Sequence, residues 1–238
     1  MPPSRHELPP GGMKSVDRDE VRNDLHARVA FARDFLGFTE ADGKALNAAA
    51  PLVALLVHSI TDEVYLHLFE YSYTKAFFLK RHVGFDGELP TNLESYTVDH
   101  PQMKFRKTFL TTYLTKVFVA DYEDDATYEY LDKVAAMHTG LKMFGKNQRD
   151  DPIIVDLQPM SLLLGWVESV VIKAILEVPK NVLSLDVKCK TVRALNKIIW
   201  IQNDLFNRYY AKSDVELMAS TQERAQASSK DAKKRFGW

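Results

Sequence analysis

The sequence predicts an all-α fold, and three features carry that expectation. Between the two ends, apolar residues recur at steps of three and four, the period of a helix with one buried face. No stretch shows the alternation and hairpin turns of strands. The breaks between periodic segments hold Gly, Pro or acidic residues suited to helix ends.

Composition narrows the class. The chain has 238 residues, of which 46% are hydrophobic and 26% charged, enough for a large single core. A formal net charge of -1 gives no electrostatic basis for nucleic acid or an anionic membrane as partner. The single Cys189 excludes an intramolecular disulfide and a cysteine zinc site. No window approaches about 18 unbroken apolar residues, and the N-terminus has no apolar signal core. The expectation is a cytoplasmic protein with no membrane span.

Each element follows from local chemistry. Residues 1–14 read as a disordered leader, because Met1–Gly12 holds four prolines and two adjacent glycines. A single domain spans residues 15–212. Val21, Leu25, Val29, Ala32 and Phe35 predict an amphipathic helix over Asp17–Leu36. Thr39 with Asp42 caps a second, short helix, and Pro51 suits the first turn of a long one. The face of that long helix runs through Leu52, Leu55, Leu56, Ile60, Val64 and Leu68, with Tyr65 and Phe69 beside it. A short helical piece follows at Thr74–Arg81. Gly84, Gly87 and Pro90 mark a loop to about Asp99. Pro101 opens a helix through Phe105, Phe109, Tyr113 and Val117. The acidic residues 121–125 favour the N-terminus of the next helix, which carries Tyr128, Leu131, Val134, His138 and Leu141. After the polar break Gly145–Pro152 come two long helices, at about Leu157–Leu176 and Leu185–Tyr210. The second presents Val192, Leu195, Ile199, Gln202 and Phe206. Residues 213–238 form a polar tail with the basic cluster KDAKKR. Seven or eight helices of unequal length, with several longer loops, do not suit an up-and-down four-helix bundle.

Most catalytic signatures are absent. The acidic patch lacks the spacing and central glycine of a calcium loop. No glycine-rich phosphate loop, GxSxG elbow or HExxH helix is present, and Cys189 stands in VKCK without a partner motif. Nothing argues for hydrolysis or group transfer. His138 differs because Leu131, Val134, His138 and Leu141 follow at steps of three, four and three, which aims the imidazole at the core. A buried neutral imidazole without partners costs about 1–3 kcal/mol. On position alone, a satisfied core histidine is the commoner outcome and a metal or cofactor ligand the rarer. Tyr65 poses the same choice between a boundary tyrosine and a pocket donor.

Longer stretches add a resemblance. FLGFTEADGKALNAAAPLVALLVHSITDEVYLHLF (residues 35–69), with its Tyr65-Leu66-His67-Leu68 landmark, is similar to the protoglobins and to the globin domains of globin-coupled sensors. LLGWVESVVIKAIL resembles the family's next-to-last helix. RALNKIIWIQNDLFNRYY resembles its closing one, with Ala194-Leu195-Asn196-Lys197 the most specific piece. The similarity runs in order over roughly Leu36 to Tyr210, and Asp17–Leu36 takes the place of the family's extra first helix. Two departures stand out. Val64 occupies a position where protoglobins often have tryptophan. His138 is followed by TGLKMFGKNQRDDP instead of the usual isoleucine-glycine pair and nearby proline.

The resemblance implies a globin-like fold with an extra N-terminal helix, holding haem b. It places His138 as the proximal ligand to the iron and Tyr65 as the distal donor. Phe105 and Phe109 would crowd the ligand side, with Val134, Leu141, Phe144 and Trp166 as apolar walls. The implied role is reversible binding of O2, CO or NO for sensing or scavenging. A homodimer would form through the last two long helices, and any signal would pass to a separate, unidentified partner. The alternative is a haem-free globin-like regulator that binds an apolar ligand or a protein. An enzymatic role has no support beyond the pocket itself.

Overall fold

A computed structural model describes residues 13–82, 84–139 and 154–210. These residues form eight α-helices, one 3-10 turn and no strand; Thr139 and Ile154 make a single isolated antiparallel bridge. The helices are α1 (Arg18–Asn23), α2 (Leu25–Leu36), α3 (Glu40–Phe69), α4 (Ser72–Ala76), α5 (Pro101–Val119), α6 (Asp125–Met137), α7 (Leu157–Glu177) and α8 (Leu185–Tyr210). The all-α expectation therefore holds.

Among the differences from the sequence reading, two concern where helices start. The helix expected over Asp17–Leu36 breaks at Asp24, whose carboxylate caps Ala27 N at 2.8 Å and starts α2. Its own N–H still closes α1 on Glu20 O. The second difference is Pro51, which lies inside α3 and does not open it. Proline removes one ladder hydrogen bond, so tertiary contacts must carry the helix through. They do so on both sides: Thr191 on α8 donates to Ala45 O at 3.2 Å, and beyond the proline Val53 and Val57 are buried.

Helix α3 is the central element, packed against α5, α7 and α8. It buries Leu46, Ala49, Val53, Val57, Ile60 and Val64, whereas Leu55 is 81% exposed. Of the expected face, Ile60 and Val64 are thus buried, Leu52, Leu56 and Leu68 are partly covered, and Leu55 is turned outward. Because α3 is apolar around most of its circumference, spacing alone does not choose the buried side. In α2 the stripe is likewise narrower than expected, with Val29 and Ala32 buried and Phe35 77% exposed. Both α3 and α7 are long and apolar enough to cross a membrane by length and composition, and both are core helices that pack on each other.

Helix α8 ties the two ends of the domain together. Lys197 donates to both oxygens of Asp42, at 2.9 and 2.8 Å, and to Gly37 O at 2.6 Å. Burial alone would raise the Asp42 carboxyl, but the hydrogen bonds from Lys197 and Thr39 outweigh it and hold the pKa below the usual carboxylate value. Gly37 is a left-handed C-cap with φ 63°, a conformation that suits glycine.

Asp42→Asn is expected to cost about 1–3 kcal/mol in urea unfolding at pH 7, since Lys197 then loses its counter-charge. A depressed folded pKa contributes stability that is present above the unfolded value, about 4, and lost as pH falls through the folded one. The gap between wild type and variant should therefore close below about pH 4. A gap undiminished at lower pH would show that Asp42 acts through shape and not charge.

Candidate functional site

The Asp124 carboxylate starts α6 by accepting from Ala126 N at 2.9 Å, and the helix ends at Met137 with His138 as its C-cap. The His138 ring turns back along the helix so that Nδ1 meets Val134 O at 2.7 Å. A backbone carbonyl only accepts, so Nδ1 carries the proton and Nε2 keeps its lone pair. Burial pushes the pKa below the ordinary imidazole value; the Val134 bond opposes this, and the nearby Arg106 charge adds to it. The ring is therefore neutral at pH 7, and it meets the edge of Phe206 at 5.6 Å.

Helix α8 fixes this end of α6 from several directions. Gln202, buried, donates to Leu131 O at 3.1 Å. Asp132 accepts from Arg208 at 3.0 Å and from the Tyr209 hydroxyl at 2.7 Å. The Tyr210 hydroxyl reaches His138 O at 3.4 Å and also bonds Val155 O.

Tyr65 lies on α3 at 8% exposure, in a cluster with Tyr96, Met103, Phe78 and Leu110. Its hydroxyl donates to Arg106 O at 3.3 Å, a long bond. Burial raises its pKa to about 12, so the phenol remains a proton donor. Beside it, the Arg106 side chain is 8% exposed and lies over the Phe78 ring at 5.4 Å. One guanidinium nitrogen, Nη2, donates to Lys80 O at 2.8 Å, while Nε has no hydrogen-bond partner among the described residues. Gln102, one turn earlier, braces this wall through Phe78 O and the Tyr96 hydroxyl, both at 2.8 Å.

The structure does not gather every residue that the sequence proposed. The ring partners of Phe105 are His82, Phe85 and Phe109, and those of Phe109 are His82 and Phe105; Tyr65 pairs with Phe78. Phe109 is 50% exposed. Val134 packs partly buried against the main core. Trp166 stacks on His67 at 3.8 Å, and its Nε1 is buried without a partner. Leu141 and Phe144 lie outside the described residues. A cavity of about 770 Å³ opens between the end of α3, α4, α7 and α8, lined by Trp166, Leu68, Leu162 and Trp200 but by neither Tyr65 nor His138.

Sequence reasoning passed over Arg106, Gln102, Tyr96 and Phe78. A signal for two of them was there. Gln102, Arg106, Leu110 and Leu114 recur at steps of four, a second stripe on the same helix as Phe105, Phe109, Tyr113 and Val117.

The donor set fits a porphyrin. His138 offers one neutral nitrogen, which suits a metal that brings its other ligands with it. Tyr65 adds a protonated donor on a second helix, and Arg106 adds a buried N–H without an acceptor.

The architecture is that of a globin domain. It matches the globin domain of a Geobacter sulfurreducens globin-coupled sensor with a TM-score of 0.57 and 14% identity, covering 77% of this chain and 97% of that one. The chain belongs to the protoglobin family, whose sequence model matches residues 25–216. No curated protein matches.

Nitrogen-detected NMR of the haem-free chain should show His138 as the Nδ1–H tautomer, with a pKa below the roughly 6.5 of a free imidazole. Detection of the Nε2–H tautomer would contradict the Val134 contact and remove the open lone pair.

Proposed function

We propose that this chain binds haem b and, through it, a diatomic gas such as O2, CO or NO, as a sensor or a scavenger. One observation carries the reading: the His138 Nδ1–H is satisfied by Val134 O at 2.7 Å, which leaves Nε2 free for iron. Haem, when bound, would supply the iron that takes up the gas. His138 holds the metal through Nε2, and the Val134 carbonyl fixes the tautomer and the ring orientation. Tyr65 supplies an O–H that burial keeps protonated. Its present acceptor is 3.3 Å away, so a closer, more electron-rich acceptor would displace it. Phe78 and Leu110, which pack with Tyr65, are the side chains set to limit ligand size. Val134 and Trp166 are the described members of the proposed apolar walls.

The partner side of the proposal is a homodimer through α7 and α8. These helices expose Leu162 and Trp200, the latter 52% accessible, beside the 770 Å³ groove. A separate signalling partner and a cytoplasmic location complete the reading. A second reading, a haem-free regulator for an apolar ligand, draws on the same groove, because neither Tyr65 nor His138 takes part in it.

Added hemin should bind the purified chain with a strong Soret band that is lost or displaced in His138→Ala. A wild-type chain that takes up no hemin favours the haem-free reading. With haem in place, Tyr65→Phe should speed O2 release about tenfold, the worth of one hydrogen bond, and leave CO release nearly unchanged. Equal effects on the two gases would remove the donor role. For the dimer, Trp200→Glu should halve the mass seen in sedimentation, whereas an unchanged mass would place the interface elsewhere.

A further inference from the structure

We propose that Arg106 is an anion-recognition residue on the Tyr65 side of the site, selecting small negatively charged ligands over neutral ones. The proposal deepens the haem reading, and one arm of its test is independent of haem.

Arg106 is unusual among the cations of this fold. Arg28 pairs with Asp204, Lys107 with Asp62, Lys197 with Asp42 and Arg208 with Asp132. Lys188, also buried, donates to Leu176 O and Val178 O at the end of α7, where the helix dipole is negative. Arg106 is as buried as Tyr65 and has no carboxylate partner among the described residues. Its bonds are one carbonyl, Lys80 O, and the face of Phe78, and Nε is left unpaired. A guanidinium stays charged at neutral pH. A buried ion without a counter-charge opposes folding, and the visible contacts offset little of that.

The surroundings indicate what would offset it. The Tyr65 hydroxyl donates to the Arg106 carbonyl, so the phenol and the guanidinium share one wall with Phe78. Gln102 locks that wall by bonding Phe78 O and Tyr96. Two donors, the phenol O–H and the unused Nε–H, are thus held in an apolar, positively charged neighbourhood. An anion entering there gains a charge-assisted hydrogen bond from Arg106, and CO, which carries little charge, does not.

The test uses the full chain with Arg106→Met, which keeps length and loses charge, and Arg106→Lys, which keeps charge and loses Nε. In the hemin-loaded ferric form, Arg106→Met should weaken azide and fluoride binding about tenfold or more. CO affinity of the ferrous form should change less than about twofold, and Arg106→Lys should recover part of the anion affinity. Equal losses for CO and azide, or no loss at all, overturn the proposal. A loss of hemin retention that vanishes with hemin dimethyl ester also overturns it, because the anion would then be a carboxylate of the porphyrin. If the wild type takes up no hemin, melting of the haem-free chain decides. Sodium azide, against sodium gluconate at equal ionic strength, should raise the melting temperature of wild type and not of Arg106→Met. The same response in both proteins overturns it.

Discussion

The position of His138 depends on how α8 grips α6. A helix C-terminus leaves its last carbonyls unpaired, and such an end frays unless something else satisfies them. Here Tyr210 and the backbone of Val155 take the His138 carbonyl, and Gln202 takes Leu131 O one face away. Asp132 adds a partly buried ionic clamp to Arg208, reinforced by Tyr209. Helix α8 is itself held at its middle by Lys197 on the Asp42 cap of α3. A chain of polar contacts therefore runs from the start of α3 through α8 to the imidazole. The helices supply the apolar mass, and these contacts supply the register.

With the frame fixed, burial sets the protonation states. The same desolvation acts in opposite directions on an acid and a base. It keeps Tyr65 protonated and His138 neutral, which makes one side of the interior a hydrogen-bond donor and the other an electron-pair donor.

Much of the fold was legible in the sequence. The α8 stripe of Leu195, Ile199, Gln202 and Phe206 is buried as the spacing predicts, because charged residues occupy the opposite face. Helix α6 was legible in its acidic start and its buried Tyr128 and Leu131 but not in its end, because the apolar spacing runs on to Leu141 whereas the helix stops at Met137. Helix α3 was less legible, since leucines and valines surround it and only its three neighbours decide which are covered. The break at Asp24 was also hidden: an aspartate that caps a helix and one that decorates its surface look alike until backbone geometry is known. His138 and Tyr65 were legible as candidates. The surroundings of Tyr65 were not, because they come from the 3-10 turn at Phe77–Leu79, α5 and the loop at Tyr96, far apart in sequence.

Helix α5 is the sharpest disagreement between pattern and structure. Its aromatic ladder suggests a core face through Phe105 and Phe109, yet Phe109 is half exposed while Gln102 and Arg106 are buried. Further along, Leu114, Val117 and Phe118 are buried as packing favours, but in the first turns packing alone would choose the other side, since exposing phenylalanine and burying an uncompensated cation both oppose folding. The reversal becomes intelligible once Gln102 and Arg106 are seen to face Tyr65, Tyr96 and Phe78. Where local preference and tertiary placement conflict, function is the usual reason. On that ground the buried pair Gln102 and Arg106, and not the aromatic ladder, is the feature of α5 that packing does not account for.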